Sequence, residues 1–366
     1  MTDPQHACAT DKEIFDVLMG AKNRFTESVL LDIAKTRGIF YSGHDSRMSL
    51  ASSISLLPHG FRNLMSLLQQ RETGTRGERV THVSLQQAVD IDRIKEIALQ
   101  YQSDAPHGEK VVCIPQGNNA FTVSVQYSEI DYSKTRLIQR REKEADIEFT
   151  VEGERTTIRM PANDKAMSIA LDLQTRLDQS LPTKIPHATI DLSDLTDSQQ
   201  RSEFFTSLIS SMAGFRLRTV TNLKIQRRSS TDNPTDLDDD YDHSTEEWDF
   251  RAVVESVALR GQGLHTTPEY QDFRTRGFYI SLVTWRAEQV VAPNHLVEFE
   301  ACFDDPNTCK NFQYKVRGVS QKHKDKHAKT FKPPELSDRV AWLALIEATA
   351  HSVLKQVRET TIESGE

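Results

Sequence analysis

The sequence predicts an α+β fold, in which an N-terminal all-helical module precedes an α+β body with a mainly antiparallel sheet and a long C-terminal helix. Three patterns carry this prediction. Residues 1–75 have apolar residues at helical spacing, later segments alternate apolar and polar residues as strands do, and residues 336–360 return to helical spacing. The last alternating segments lie close together in the chain, which favours an antiparallel meander.

The helical module is predicted to span residues 1–75. Apolar residues such as Ile14 and Leu18 share one face of its first helix. Gly38 suits the left-handed position that ends a helix, and Pro58 stops the third helix. Two glycines and several charged residues between Glu72 and Glu78 then break the pattern, and they place the boundary of the module in this stretch.

Two α+β units are predicted after the module. Residues 76–185 form the first, with a β-β-α order in which two alternating runs around Gly153 make a hairpin. The helix that follows is capped by Asn163 or Asp164. Residues 186–366 form the second unit, with the antiparallel meander and the C-terminal helix.

The composition is close to that of an ordinary soluble protein. Hydrophobic residues make up 37% of the 366 residues, and no apolar run is long enough for a transmembrane helix. The start of the chain lacks the pattern of a signal peptide, and four cysteines are too sparse for a disulfide framework. We therefore expect a cytoplasmic protein without a membrane partner. The formal net charge of -8 argues against a uniformly basic surface, so a nucleic-acid site requires a local basic patch.

A short motif joins two apolar helices at residues 29–57. It has an Arg-Gly-Ile turn that begins at Arg37, a Ser-Gly pair that begins at Ser42, and a second apolar helix that contains Leu50. The motif resembles the SAP domain, a helix-turn-helix hairpin with which many chromatin and DNA-repair proteins bind DNA. The resemblance implies DNA contacts from Arg37 and Arg47.

The start of the second helix departs from the SAP pattern. His44, Asp45 and Ser46 stand where the family has the lysines that contact phosphates. The alternative is a helical hairpin that packs against its neighbours or against a protein partner.

Sequence motifs for catalysis, cofactors and metals are missing. The chain has no GxxxxGK[ST], GxSxG or HExxH motif. Residues 236–247 have the ligand spacing of a calcium loop, but Tyr241 replaces the glycine of its sharp turn. Cys302 and Cys309 are too widely spaced for a zinc knuckle. We therefore predict no catalytic residue, no cofactor and no metal, while an active site assembled from distant residues stays open.

Basic residues cluster locally in this acidic chain. The largest cluster spans residues 310–332, where aromatic residues interleave with lysines, and a smaller one spans residues 134–143. Cations of this kind neutralise phosphates, and aromatic rings among them can stack on bases. Together with the hairpin arginines they give the predicted nucleic-acid-binding residues, which are Arg37, Arg47, Arg140, Arg141, Lys315, Arg317, Lys322, Lys324, Lys326 and Lys329. The alternative is a solvated surface, or one that meets an acidic partner.

These observations predict a nucleic-acid-binding protein, with DNA preferred over RNA, that is a non-enzymatic component of a multi-subunit system. A bacterial antiviral defence system is one setting that would fit. Two alternatives remain open. The chain could be a protein–protein adaptor or oligomeric scaffold, for which a protein partner or self-association is expected, or a hydrolase whose site has no recognised motif.

Overall fold

The structure is a computed structural model that describes residues 9–71, 78–227, 256–261, 263–323 and 326–363. Within these residues, hydrogen bonds join eleven strands into one mostly antiparallel sheet, and helices lie at both ends of the chain. The predicted α+β fold is confirmed.

The helices of the described residues agree with the predicted helical module and the long C-terminal helix. Their bounds are α1 Asp11–Gly20, α2 Glu27–Lys35, α3 Arg47–Ser55, α4 Phe61–Arg71, α5 Ile91–Ser103, α6 Arg136–Gln139, α7 Asp164–Ser180, α8 Ser198–Ser210, α9 Pro268–Thr275 and α10 Leu336–Glu363. None of these helices is long and apolar enough to cross a membrane.

The strands fall mostly in the middle and later parts of the chain. Their bounds are β1 Val80–Leu85, β2 Lys110–Pro115, β3 Ala120–Ile130, β4 Arg140–Glu152, β5 Arg155–Pro161, β6 His187–Ala188, β7 Phe215–Arg227, β8 Ser256–Arg260, β9 Phe278–Gln289, β10 Leu296–Asp305, β11 Lys310–Ser320, β12 Lys322–His323 and β13 Lys326–His327.

Neighbouring strands of the large sheet follow the order β2-β3-β4-β5-β1-β11-β10-β9-β7-β8, with β6 paired to β1. The three strands predicted as a meander, β9, β10 and β11, pair antiparallel in chain order. The predicted hairpin is β4–β5, and Gly153 in its turn has a φ of 58°, which glycine adopts without strain. Strands β12 and β13 form a separate two-stranded hairpin.

The described residues divide into two compact units. Unit 1 comprises those of Met1–Arg76, Ala98–Ile114 and Val123–Asp146, and unit 2 comprises the others. The three-part division into residues 1–75, 76–185 and 186–366 stays a prediction.

Unit 1 buries an apolar core between short, well-capped helices. Thr10 and Glu13 form a reciprocal capping box at the start of α1, while Thr26 and Ser46 accept hydrogen bonds at the starts of α2 and α3. These caps satisfy amides that a helix cannot satisfy itself, so each helix begins at a defined residue. The largest core side chains are Leu18, Phe25, Leu30, Leu50 and Ile54.

Unit 2 places its apolar core on one face of the sheet. Successive side chains of a strand point to opposite faces, so Val297, Phe299 and Ala301 of β10 enter the core, and Glu298 and Glu300 lie on the other face. Helices α8 and α10 contribute to the same apolar cluster, among others with Phe204, Phe205, Trp342, Leu343 and Ile346. The face opposite the core is left to polar and charged residues.

Candidate functional site

Charged side chains form a continuous surface on the sheet face of unit 2 opposite the apolar core. We call this surface the basic face. It consists of three carboxylates and the six cations with which they pair among the described residues, namely Glu288, Glu298 and Glu300 with Arg79, Arg218, Arg286, Lys315, Arg317 and Lys322.

Strand register brings the central part of the basic face together. Arg286 of β9 lies opposite Glu298 of β10, and Lys315 of β11 lies opposite Glu300. Arg317 stands at an irregularity of the β10–β11 pairing, where the bulged strand can turn its side chain between two neighbours. Opposite charges on facing positions attract one another, so this register is supported by the charges themselves.

Glu300 is the centre of the ion pairs. Its carboxylate oxygens lie 2.9 Å from Arg79 Nε, 3.3 Å from Lys315 Nζ and 3.3 Å from Arg317 Nη1. Glu298 lies 2.9 Å from Arg286 Nε and 3.5 Å from Arg317 Nε. Burial opposes ionisation of Glu300, but the positive charges of Lys315, Arg79 and Arg317 outweigh it and lower the pKa of this carboxyl.

Glu288 anchors the end of the basic face near the β9–β10 turn. Arg218 Nε donates a hydrogen bond of 2.7 Å to its carboxylate, and Lys322 Nζ lies 3.2 Å from the other oxygen. His327 Nε2 lies 3.7 Å from the same carboxylate. The hydrogen bond from Arg218, against burial and together with Lys322, lowers the pKa of Glu288.

The carboxylates and the cations differ in their access to water. The side chain of Glu300 is 7% exposed, whereas that of Arg218 is 50% exposed. The other carboxylates are also nearly buried, and the other cations are more exposed than the carboxylates they pair with. The three carboxylates therefore form the floor of the basic face, and the six cations that pair with them lie above, closer to solvent.

A short segment after β13 packs on the basic face at Gly318. A Cβ on Gly318 would lie 3.0 Å from Phe331 Cβ and 3.1 Å from the Lys332 carbonyl oxygen, so a larger residue would fit only if this segment shifted by a few tenths of an ångström. The guanidinium of Arg286 lies 4.7 Å from the centre of the Phe331 ring, a distance at which a cation and an aromatic ring attract each other. The Phe331 ring and the Glu298 carboxylate therefore both orient the Arg286 guanidinium.

The structure brings some of the predicted binding residues together. Lys315, Arg317 and Lys322 are members of the basic face. Lys326 and Lys329 are exposed on and after β13, close in sequence to Lys322. Lys324 and residues 236–247, which have the ligand spacing of a calcium loop, lie outside the described residues. Nothing tests the assignment of these residues to nucleic acid, and it stays a prediction.

The arginines of the SAP-like hairpin make internal contacts in unit 1. Arg47 donates to the carbonyl oxygens of Phe25 and Leu18 at 2.7 and 2.6 Å. Arg37 donates to the carbonyl oxygen of Pro58 at 3.3 Å. Much of the hydrogen-bonding capacity of both side chains therefore supports the hairpin itself, and fewer donors remain for a phosphate.

The other two predicted arginines also belong to unit 1. Arg140 is exposed on β4, and its Nε donates to Ser128 Oγ at 3.0 Å, while Arg141 beside it is half-buried. The predicted set thus falls into two groups, one in each unit.

Two of the aromatic residues that interleave with the lysines of residues 310–332 lie in the core, where they cannot stack on bases. Phe312 and Tyr314 point to the core face and are buried. This follows from strand geometry, because on β11 the aromatic residues and Lys315 occupy opposite faces.

Sequence reasoning missed Arg79 and Arg286 as members of the basic face. The signal for Arg286 was available, since alternation in β9 places Thr284, Arg286 and Glu288 opposite the apolar residues between them. Arg79 carries no such signal, because it meets Glu300 across 221 positions of the chain.

A second polar cluster lies on the core side of the same sheet. We call it the buried network, and it consists of His82, Glu148, Arg159, Tyr314, Glu347 and His351. Arg159 binds the Glu347 carboxylate with two parallel hydrogen bonds of 2.5 and 2.9 Å, and Glu148 accepts a third at 3.0 Å. Burial opposes ionisation of Glu347, but Arg159 outweighs it and lowers the pKa of that carboxyl.

The donor and the acceptor of each hydrogen bond between His351, His82, Tyr314 and Glu347 can be assigned in turn. Tyr314 donates its single proton to Glu347, so it must accept from His82 Nδ1, which lies 3.2 Å away. His82 Nε2 is then the acceptor for His351 Nε2 at 2.9 Å. Because this arrangement requires neutral His82, it agrees with burial, which lowers the pKa of His82 to about 4.

Among the described residues, no group of three or more histidine, cysteine or acidic side chains could hold a metal ion. Comparisons with protein-family models and with curated proteins found no match to this chain. The SAP-like resemblance therefore rests on the residues of the hairpin alone.

Proposed function

We propose that the protein binds nucleic acid through phosphate contacts at the basic face, as a non-enzymatic component of a larger assembly. The observation that carries the proposal is the layering of the face, with nearly buried carboxylates below and twice as many cations, each more exposed, above. A polyanion that approaches from solvent meets the cations first, and it gains counterion release for each phosphate that they neutralise.

The recognition we propose is of the backbone rather than of the bases. Phe312 and Tyr314 are enclosed in the core, and Phe331 already interacts with the guanidinium of Arg286. A sheet face that carries several guanidinium groups fits phosphate oxygens, to which arginine donates in a forked geometry. The expected binding therefore depends strongly on salt and weakly on sequence. The preference for DNA rests on the SAP-like resemblance of the hairpin.

Salt-titrated binding to duplex DNA tests the proposal. The test variant combines Arg218→Gln, Lys315→Gln and Arg317→Gln, which removes three cations but leaves each carboxylate one partner, namely Lys322 for Glu288, Arg286 for Glu298 and Arg79 for Glu300. We expect the slope of log K against log salt to fall by about 0.9 for each phosphate that the variant no longer neutralises.

The matched control removes three exposed cations from other surfaces of unit 2. Arg274→Gln, Arg276→Gln and Lys355→Gln change the net charge by the same amount at the end of α9 and on α10. If both variants bind with the same reduced affinity, net charge rather than the basic face determines binding. If the wild-type protein binds neither DNA nor RNA at low salt, the proposal is wrong.

An adaptor function is the second candidate, because exposed cations above buried carboxylates also fit an acidic protein segment. The same variants separate the two functions. An adaptor would show no nucleic-acid affinity at low salt, and it would release an acidic protein partner when the three basic-face cations are replaced.

A further inference from the structure

The turn between β9 and β10 presents four consecutive apolar residues to solvent. We call them the apolar tip, and they are Val290, Val291, Ala292 and Pro293. Val290 is 56% exposed and Val291 is 74% exposed. Single exposed apolar residues are ordinary, but a run of four exposed apolar residues on one turn is expected only where that turn contacts a ligand or a partner.

Hydrogen bonds fix the backbone around the apolar tip. Asn294 Nδ2 donates to the carbonyl oxygens of Gln289 and Val290 at 3.0 and 3.2 Å, and its own amide donates to the Val291 carbonyl at 3.1 Å. The amide of Val290 donates to Gly214 at 2.9 Å on the neighbouring β7 side. The tip is therefore held in one conformation, and little further ordering entropy is required when it binds.

The apolar tip continues directly from the end of the basic face. Glu288, with its cations Arg218 and Lys322, lies two residues before the tip begins. His327 joins the two features, because its Nε2 is 3.7 Å from the Glu288 carboxylate and 3.1 Å from the carbonyl oxygen of Asn294. The apolar tip therefore lies beside this end of the basic face.

We infer that the apolar tip is a wedge that enters the base stack of a duplex whose phosphates lie on the basic face. This inference rests on the proposed function. Charge complementarity selects a polyanion as the partner, and a nucleic acid is a polyanion with an apolar interior between its base pairs. Architectural proteins insert apolar side chains, proline among them, between base steps, which kinks the duplex. The apolar tip offers Pro293 and the two branched side chains of Val290 and Val291 for this role.

An anionic membrane is a different partner with related chemistry, and the tip fits it less well. Proteins that bind at a membrane interface use tryptophan and tyrosine as anchors, and the apolar tip has neither. It also offers only two valines, one alanine and one proline for burial in lipid.

A wedge predicts preference for duplexes that open easily. The test compares an intact duplex of about 20 base pairs with one that carries a central mismatch beside 2-aminopurine, whose fluorescence rises on unstacking. We expect the wild-type protein to bind the mismatched duplex about tenfold more tightly, because a mispaired step costs less to unstack. Binding should also raise the 2-aminopurine signal.

The variant Val290→Ser with Val291→Ser should abolish both the preference and the signal, while its salt slope stays that of the wild type. Leu171→Ser with Leu336→Ser removes exposed apolar side chains elsewhere in unit 2 and is the matched control. Equal wild-type affinity for the two duplexes overturns the wedge and leaves the proposed function standing, whereas absence of any DNA binding overturns both. Tip-dependent binding to phosphatidylserine vesicles, with no effect of the tip on DNA, assigns the tip to a membrane and also overturns the wedge.

Discussion

Tyr314 and Lys315 are neighbours on β11, yet they belong to two different charged clusters, of which one is buried and the other is accessible to solvent. Tyr314 points to the core face and joins the buried network, while Lys315 points to the other face and joins the basic face. Both clusters contain arginines bound to glutamates at similar distances. They differ in what surrounds the ion pairs, which is apolar core in one case and solvent in the other.

The comparison shows how one sheet separates a buried structural cluster from the surface that we propose to bind a ligand. In the buried network Arg159 is matched by Glu347 and Glu148, and its side chain is almost inaccessible. In the basic face the cations outnumber their carboxylates and remain open to water. A buried charge that is already paired cannot contact a ligand, whereas an exposed excess of charge attracts ligands of the opposite sign. The buried network therefore holds α10 against the sheet, whereas the cations of the basic face stay accessible from solvent.

The largest expected effect comes from removing Glu347 from the buried network. Glu347→Ala deletes the bidentate partner of Arg159 and leaves this buried guanidinium with Glu148 as its one carboxylate partner in the network. We expect the free energy of unfolding to fall by about 3–5 kcal/mol, as for other broken buried ion pairs. Urea denaturation measures it.

Glu359→Ala on the same helix is the control. Glu359 is exposed, and its ion pair within the described residues of α10 is with Lys355, which is exposed too. We expect this change to stay within about 0.5 kcal/mol. Equal effects of the two substitutions would mean that the buried network does not hold α10 in place.

A smaller effect is expected from the titration of His82. Burial, together with His351 and Arg159 and against Glu347, lowers the pKa of His82 from 6.5 to about 4. The folded state thus binds this proton less readily than the unfolded state, so stability is full above pH 6.5 and falls as the pH drops towards 4. The decrease amounts to about 3 kcal/mol for this group.

Carboxylates also titrate in the lower part of that range, so the measurement needs a reference. His82→Asn keeps a hydrogen-bonding side chain but cannot be protonated. The difference in unfolding free energy between the wild type and this variant, measured in urea at several pH values, isolates His82. A difference that is constant from about pH 7 to about pH 4 would contradict the lowered pKa.

Much of the fold was accessible from the sequence because its signals are local. The α10 stripe, the meander and the β4–β5 hairpin depend on spacing within one segment, and the structure has all three. Alternation along β10 is also sufficient to place Glu298 and Glu300 together on the face opposite the core. These inferences need only the period of a strand or helix.

The partners of those glutamates could not be predicted in the same way. Arg79 reaches Glu300 only because β1 lies next to β11, and strand order is a property of the whole sheet. The same limit affected Arg47, whose basic character suggested phosphate contacts, whereas its guanidinium binds the backbone of α1 and of the segment after it. A sequence shows which residues are charged. It does not show which residues neutralise or hydrogen-bond those charges, because folding brings these partners together from distant parts of the chain.

The smallest expected effect tests the layering of the basic face directly. Glu298→Gln removes one floor carboxylate but keeps its size and its hydrogen-bonding oxygen, while Arg286 also stays against the Phe331 ring. The cations above it then gain one uncompensated positive charge. At about 6 Å in a water-like dielectric, one charge contributes ~0.7 kcal/mol to the attraction of a phosphate. We therefore expect DNA affinity to rise about threefold at low salt, and the gain to disappear as salt screens the charge.

The control for this last prediction is Glu359→Gln, which makes the same change in net charge on α10. A rise confined to Glu298→Gln identifies the basic face as the place where phosphate lies. Weaker binding by Glu298→Gln would instead give the carboxylate a different role, that of holding Arg286 and Arg317 in the geometry that a phosphate requires. In that case geometry rather than excess charge governs binding, and Arg286→Lys, which keeps the charge but not the fork, should bind more weakly too.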